Sequence, residues 1–154
     1  MADASYNSSP DSRGQSGYVF TLGRDGDAVF YARSAKQKCV ALSSTESEYV
    51  TLCDAATEIV WLRQLLKDMG FEQDAPTDTF EDNMAAIKIA QGAGTHQRTK
   101  HINVKYHFTR QAITDKVMSI LYMPTEDMIA DILTKELPRA QFEKLRDAML
   151  QTYY

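Results

Sequence analysis

The chain has 154 residues, 44% hydrophobic and 25% charged, a size and balance that fit one globular domain and exclude an intrinsically disordered chain. No apolar run approaches the ~20 residues of a membrane-spanning helix, and the acidic Met1-Ala2-Asp3 opening lacks the basic-then-apolar pattern of a secretory leader. The net charge of −4 argues against a general polyanion binder, and the two cysteines, Cys39 and Cys53, lack C-x-x-C spacing and read as reduced structural thiols.

In chain order, residues 5–17 are polar with Pro10 and Gly14 and read as a loop. Tyr18–Leu22 and Ala28–Ala32 are rich in β-formers around Arg24-Asp25-Gly26-Asp27, which predicts a hairpin. Ser43 with Glu46 fits a capping box, and Leu52, Ala56, Ile59, Leu62, Leu66 and Met69 keep a 3.6-residue period up to Gly70. A helix over about 43–69 follows. A short strand at about 77–81 ends at Asp82-Asn83, and a helix through Ala85–Ala90 is stopped by Gly92 and Gly94. Asn103–Thr114 forms a helix and Val117–Met123 a strand. Thr125 is predicted to N-cap a last helical region, and Pro138 to restart a helix at its first position with Phe142, Leu145 and Met149 on one face. Strands alternating with helices mark one α/β layered domain over 1–154.

The charge is unevenly spread. No acid lies between Asp82 and Asp115, where Lys88, Arg98, Lys100, Lys105 and Arg110 give +5, so the remainder carries −9. A basic segment on an acidic domain suits one phosphate backbone on one side and cations on the other; a solvated helix face is the plainer alternative. His96, His101 and His107 lie in the same segment, but their His-x4-His-x5-His spacing fits no standard zinc motif and no cysteine is near.

Four acids stand at strand ends or in helix starts: Asp3, Glu48, Asp82 and Asp131. Glu81 neighbours Asp82, but strand alternation turns it to the other face, which leaves it outside the set. Clustered carboxylates repel and resist desolvation unless cations neutralise them. An all-carboxylate donor set selects Mg2+ or Mn2+ over zinc, and two such ions ~4 Å apart are a standard device for phosphodiester hydrolysis.

The ordered motifs resemble the ribonuclease H domain of copia-type long-terminal-repeat retrotransposon polyproteins. They are Ala41-Leu42-Ser43-Ser44-Thr45-Glu46-Ser47-Glu48-Tyr49, Trp61-Leu62-Arg63, Glu81-Asp82-Asn83 with Ala86-Ile87, Arg98-Thr99-Lys100-His101-Ile102, Tyr106-His107-Phe108, Pro124-Thr125-Glu126-Asp127 and Ala130-Asp131-Ile132-Leu133-Thr134-Lys135. The resemblance implies an RNase H-like fold, with a mixed five-stranded sheet flanked by helices and a truncated first strand. It also implies endonucleolytic cleavage of the RNA strand of RNA–DNA hybrids during reverse transcription, with two Mg2+ or Mn2+ ions. Asp3, Glu48, Asp82 and Asp131 take the roles of catalytic metal ligands; Glu48 is preferred to Glu46, which the capping box already uses. Arg98, Lys100, Lys105 and Arg110 are expected to grip hybrid phosphates through backbone and groove shape.

Further expectations follow from the resemblance: the reverse transcriptase domain of the same polyprotein as a partner, no membrane and no small-molecule cofactor, and residence in a cytoplasmic virus-like particle or the nucleus. Asp3 has two residues before it, Asn103 stands where many family members carry an acid, and Tyr31 replaces a common Trp. No histidine lies between Val117 and Asp131 to aid turnover, so slow product release is expected. The competing reading is a catalytically inactive or domesticated module that binds nucleic acid or a protein through its basic face.

Overall fold

The structure is a computed structural model, and it describes residues 1–22, 28–92 and 100–150. The strands are β1 (Ala2–Ser5), β2 (Gln15–Leu22), β3 (Ala28–Lys36), β4 (Thr77–Glu81) and β5 (Met118–Tyr122). The helices are α1 (Ser44–Asp68), α2 (Met84–Ala90), α3 (Lys100–Thr114) and α4 (Arg139–Leu150). Two 3-10 segments, Thr125–Asp127 and Ile129–Leu133, lie between β5 and α4. No helix among the described residues is long and apolar enough to cross a membrane.

The mixed α/β architecture, with five strands among the described residues, is the expected one, but these strands are hydrogen-bonded as two sheets. β1, β2 and β3 form an antiparallel sheet in that order, and β4 pairs with β5 in parallel. The four residues of β1 are paired along β2, from Ala2 opposite Tyr18 to Ser5 opposite Gln15, and β1 meets β4 by packing rather than by a ladder.

Helix α1 begins where the sequence places it. The Ser43 hydroxyl accepts the Glu46 N–H at 3.2 Å, while the Glu46 carboxylate accepts from Leu42 N–H, one residue before the N-cap. The first half of α1 is buried on nearly every side, from Ser47 to Cys53 and then at Ala55, Ala56 and Ile59. Met69, at the end of the same apolar period, is exposed because the helix has by then run past the core. The core joins Tyr18 of β2, Tyr49, Leu52 and Ile59 of α1, Ala86 and Ile87 of α2, Tyr106 of α3, and Met118 and Ile120 of β5. Tyr49 and Tyr106 pack with ring centroids 4.1 Å apart, fastening α3 to α1.

The end of the chain departs from expectation. Thr125 does not cap a helix; it lies in a 3-10 turn whose preceding residue, Pro124, has extended backbone. Pro138 is the residue whose carbonyl accepts the first bond of α4, from Phe142 N–H at 2.9 Å, so it precedes the helix rather than opening it. Of the predicted apolar face of α4 only Leu145 is fully buried.

One glycine fixes where this segment lies. Gly17 on β2 is paired with Asp3, and a Cβ there would come within 2.5 Å of Thr134 Cγ2 and 2.9 Å of Leu133 Cβ. Only a residue without a side chain lets the 129–134 segment lie flat on β2 beside Asp3. Gly17→Ala is expected to lower stability by about 1–3 kcal/mol through overpacking, read as a fall in the thermal unfolding midpoint.

Candidate metal centre

Four elements deliver the acids. Asp3 is buried on β1, on the face that Gly17 leaves open to Thr134. Glu48 lies in the buried first half of α1, Asp82 directly follows β4, and Asp131 is buried in the Ile129–Leu133 segment. The predicted tetrad converges in two overlapping groups. Carboxylate oxygens of Asp3, Asp82 and Asp131 lie within 4.8 Å of one another, and so do those of Glu48, Glu81 and Asp82. Asp82 belongs to both.

Glu81 is the residue that sequence reasoning excluded and the structure includes. Alternation along β4 buries Thr79 and Glu81. Asp82 lies beyond the last paired residue, in a bend, where the two-residue period no longer governs direction. Both side chains therefore reach the same pocket. The Glu81 Oε1 accepts the Asn83 N–H at 3.0 Å, and the Asn83 Oδ1 in turn caps α2 by accepting from Ala85 and Ala86 N–H.

Supporting hydrogen bonds come from motif residues to which the sequence assigned no role at this site. The Thr125 hydroxyl donates to Asp82 Oδ2 at 2.7 Å. The Thr134 hydroxyl donates to Asp3 Oδ2. The Lys135 ammonium donates to Asp3 Oδ1 at 2.9 Å and Asp131 Oδ1 at 3.0 Å. The signal for all three was their place beside the quoted acids, in Pro124-Thr125-Glu126-Asp127 and Asp131-Ile132-Leu133-Thr134-Lys135.

Glu48 is aimed by a buried polar network next to it. Gln37 Nε2 donates to Ser47 O at 2.9 Å and to Ser16 Oγ at 3.2 Å, Ser47 Oγ donates to Gln37 Oε1 at 3.1 Å, and Thr51 Oγ1 donates to Ser16 Oγ at 2.7 Å. These bonds tie the start of α1 to β2 and leave the helix little rotational freedom.

The electrostatics are those of a site short of positive charge. Burial, then the neighbouring Glu81, Asp3 and Asp82, pushes the Glu48 carboxyl up to about 10. Burial also raises Glu81 to about 8, although the Asn83 N–H works against it. Asp131 rises to about 7 through burial and the charge of Asp3. Glu48 Oε2 and Glu81 Oε2 are buried without a hydrogen-bond partner. Unpaired buried carboxylate oxygens are costly, and a hard divalent cation is the partner that an all-oxygen donor set accepts. The residues present therefore fit Mg2+ or Mn2+.

The basic residues are placed differently. The Lys105 ammonium is ion-paired with Asp54 of α1 at 2.7 Å. The Arg110 guanidinium donates through Nε and Nη2 to Ile89 O, near the end of α2, at 3.1 and 3.0 Å. Lys100 opens α3, and its side chain, like all of Arg98, lies outside the described residues. His96 and the His101 side chain also lie outside them, and among the described residues no histidine joins a metal-ligating group.

Comparison with known proteins identifies the relatives of this arrangement. No protein-family model matches the sequence. The chain is 37% identical over 135 residues, 88% of its length, to the retrovirus-related Pol polyprotein of transposon TNT 1-94 from Nicotiana tabacum. It is 34% identical over 127 residues to the corresponding polyprotein of transposon RE2 from Arabidopsis thaliana. It spans about a tenth of the length of these polyproteins. The fold is matched by LC11-RNase H1, solved in complex with an RNA/DNA hybrid, with a TM-score of 0.63 over 86% of this chain and 90% of that one at 17% identity. The N-terminal RNase H domain of a Mycobacterium tuberculosis protein matches with a TM-score of 0.62 over 96% and 94% at 15% identity. This chain is a ribonuclease H-like domain related to retrotransposon Pol polyproteins. In this ribonuclease H-like domain the four predicted acids occupy one pocket, and Glu81 makes a fifth.

Raised carboxyl pKa values bind protons more tightly in the folded than in the unfolded state. Their stabilising contribution is therefore full at acid pH and lost as pH rises through the folded values. In EDTA, the thermal midpoint is expected to fall between pH 5 and 9 through the region of about 7 to 10 set by Asp131, Glu81 and Glu48. Adding Mg2+ at pH 8 is expected to reverse the fall; a midpoint indifferent to both pH and Mg2+ contradicts the assignment.

Proposed function

We propose that this domain hydrolyses the RNA strand of RNA–DNA hybrids, as the ribonuclease H part of a copia-type retrotransposon polyprotein, with Asp3, Glu48, Asp82 and Asp131 holding two Mg2+ or Mn2+ ions. The observation that carries the reading is the convergence of four sequence-distant acids on one pocket that contains unpartnered carboxylate oxygens. The hybrid complex of the structural neighbour LC11-RNase H1 supports the choice of substrate.

Bound ions would supply an activated water and neutralise charge at the leaving oxygen. The chain's own part is to place oxygens. Asp82, shared by both groups, is held by the Thr125 hydroxyl and would be a ligand common to both. Thr134 fixes the rotamer of Asp3, and the Gln37–Ser47–Thr51 network fixes the start of the helix bearing Glu48. An open cleft is lined by polar residues including Ser5, Gln15 and Glu136 and by Ile132, and its lining residues Thr134 and Lys135 link it to Asp3 and Asp131. Its hydroxyls and amide suit the 2′-hydroxyls and phosphates of an A-like duplex. Arg98, Lys100, Lys105 and Arg110 supply positive potential for the hybrid backbone. Lys105 is ion-paired with Asp54 and Arg110 donates to the Ile89 carbonyl, so each would share or exchange that partner to act on a phosphate.

The deciding experiment is cleavage of a labelled RNA–DNA hybrid in Mg2+ or Mn2+, with single-stranded RNA and double-stranded DNA as controls. Hybrid-selective cleavage of the RNA strand that Asp82→Asn abolishes is the expected result. Thr125→Val, which removes the hydroxyl holding Asp82, is expected to retain cleavage at a rate about tenfold lower. Hybrid binding without any cleavage by the wild type would overturn the enzymatic reading in favour of a binding module. With about three phosphates neutralised, hybrid affinity is expected to fall with salt at a log–log slope of roughly −2 to −3, measurable by fluorescence anisotropy.

A further inference from the structure

Lys135 has no part in the reading above beyond lining the cleft, yet it reaches from an exposed position into the acidic pocket. Its ammonium lies 2.9 Å from Asp3 Oδ1 and 3.0 Å from Asp131 Oδ1. The two carboxylates are fully buried, while the lysine side chain is about a third exposed, with relative exposures of 0%, 1% and 34%. The other oxygen of Asp3 is already taken by the Thr134 hydroxyl. The backbone of Lys135 is anchored as well, its N–H donating to Asp131 O at 3.0 Å. The root of the side chain is thus fixed, whereas its long, flexible stem ends at the cleft.

An ammonium bridging one oxygen from each of two buried carboxylates stands where a cation bound by Asp3 and Asp131 would stand. Two positive charges compete for those oxygens, because the ammonium fills the space between them and takes a lone pair on each, and a divalent ion there would meet its repulsion. We propose that Lys135 is a built-in counter-cation of the Asp3–Asp131 pair, which neutralises it in the metal-free domain and must swing into the cleft before a divalent ion binds there. The inference rests on the metal-site reading above and adds a competitor to it. Lys135 is in this sense a positioning residue, one that acts on the ligands and on the order of events.

The test is binding of Mn2+ to the purified domain, followed by isothermal titration calorimetry in the absence of nucleic acid. Three proteins are compared: wild type, Lys135→Gln and Lys135→Arg. Loss of one partly exposed ammonium competitor is expected to tighten Mn2+ binding of Lys135→Gln about fivefold. Its metal-free thermal midpoint should fall below that of the wild type, and saturating Mn2+ should narrow the gap. Lys135→Arg keeps the charge and is expected to bind Mn2+ like the wild type. Equal or weaker Mn2+ binding by Lys135→Gln, with the wild type binding normally, overturns the competitor role alone. Failure of the wild type itself to bind Mn2+ overturns the metal-site reading and this inference with it.

Discussion

Repulsion among buried carboxylates is the constraint around which this domain is arranged. Asp3, Glu48, Glu81, Asp82 and Asp131 crowd one pocket, and burial penalises the ionised forms of Glu48, Glu81 and Asp131. A fold that merely tolerated such crowding would surround it with cations. Among the described residues this one supplies a single ammonium, two threonine hydroxyls and an asparagine N–H. The deficit of positive charge is a property of the site, and it sets the pocket apart from a structural salt-bridge cluster.

The scaffold meets that constraint by rigidity. Tyr49 packed against Tyr106, the polar network of Gln37, Ser16, Ser47 and Thr51, and the bare surface of Gly17 each remove a freedom that would let the acids drift apart. The elements bearing the ligands are a β-strand, a helix start, a strand end and a 3-10 turn. Each is held from a different side. A ligand set assembled this way cannot be relieved of its repulsion by moving one loop.

Much of this was legible in the sequence, and the limits have physical causes. Strand β4 and helix α1 were found because alternation, apolar period and capping chemistry are local properties of the chain. Asp3, Glu48, Asp82 and Asp131 were selected by resemblance, and no periodicity would have chosen them. Glu81 was lost because alternation was carried past the last paired residue of β4. Thr125 was read as a cap because threonine before acidic residues has that local meaning, whereas its hydroxyl is spent on Asp82 at a separation of 43 residues. Thr134 and Lys135 act only through contacts that tertiary structure creates. The two-sheet hydrogen bonding depends on which edge of β1 is paired, and composition carries no trace of it.

The contacts between Asp3 and the Thr134–Lys135 pair join residues 131 and 132 positions apart. They close a loop that contains nearly the whole chain. Loops of that length are among the last to form, because their closing entropy is recovered only once the intervening elements have packed. The acidic pocket therefore cannot exist in a partly synthesised or partly folded domain. Its assembly reports that β1, β2 and the segment after β5 have all found one another, which makes the site a sensitive indicator of global integrity.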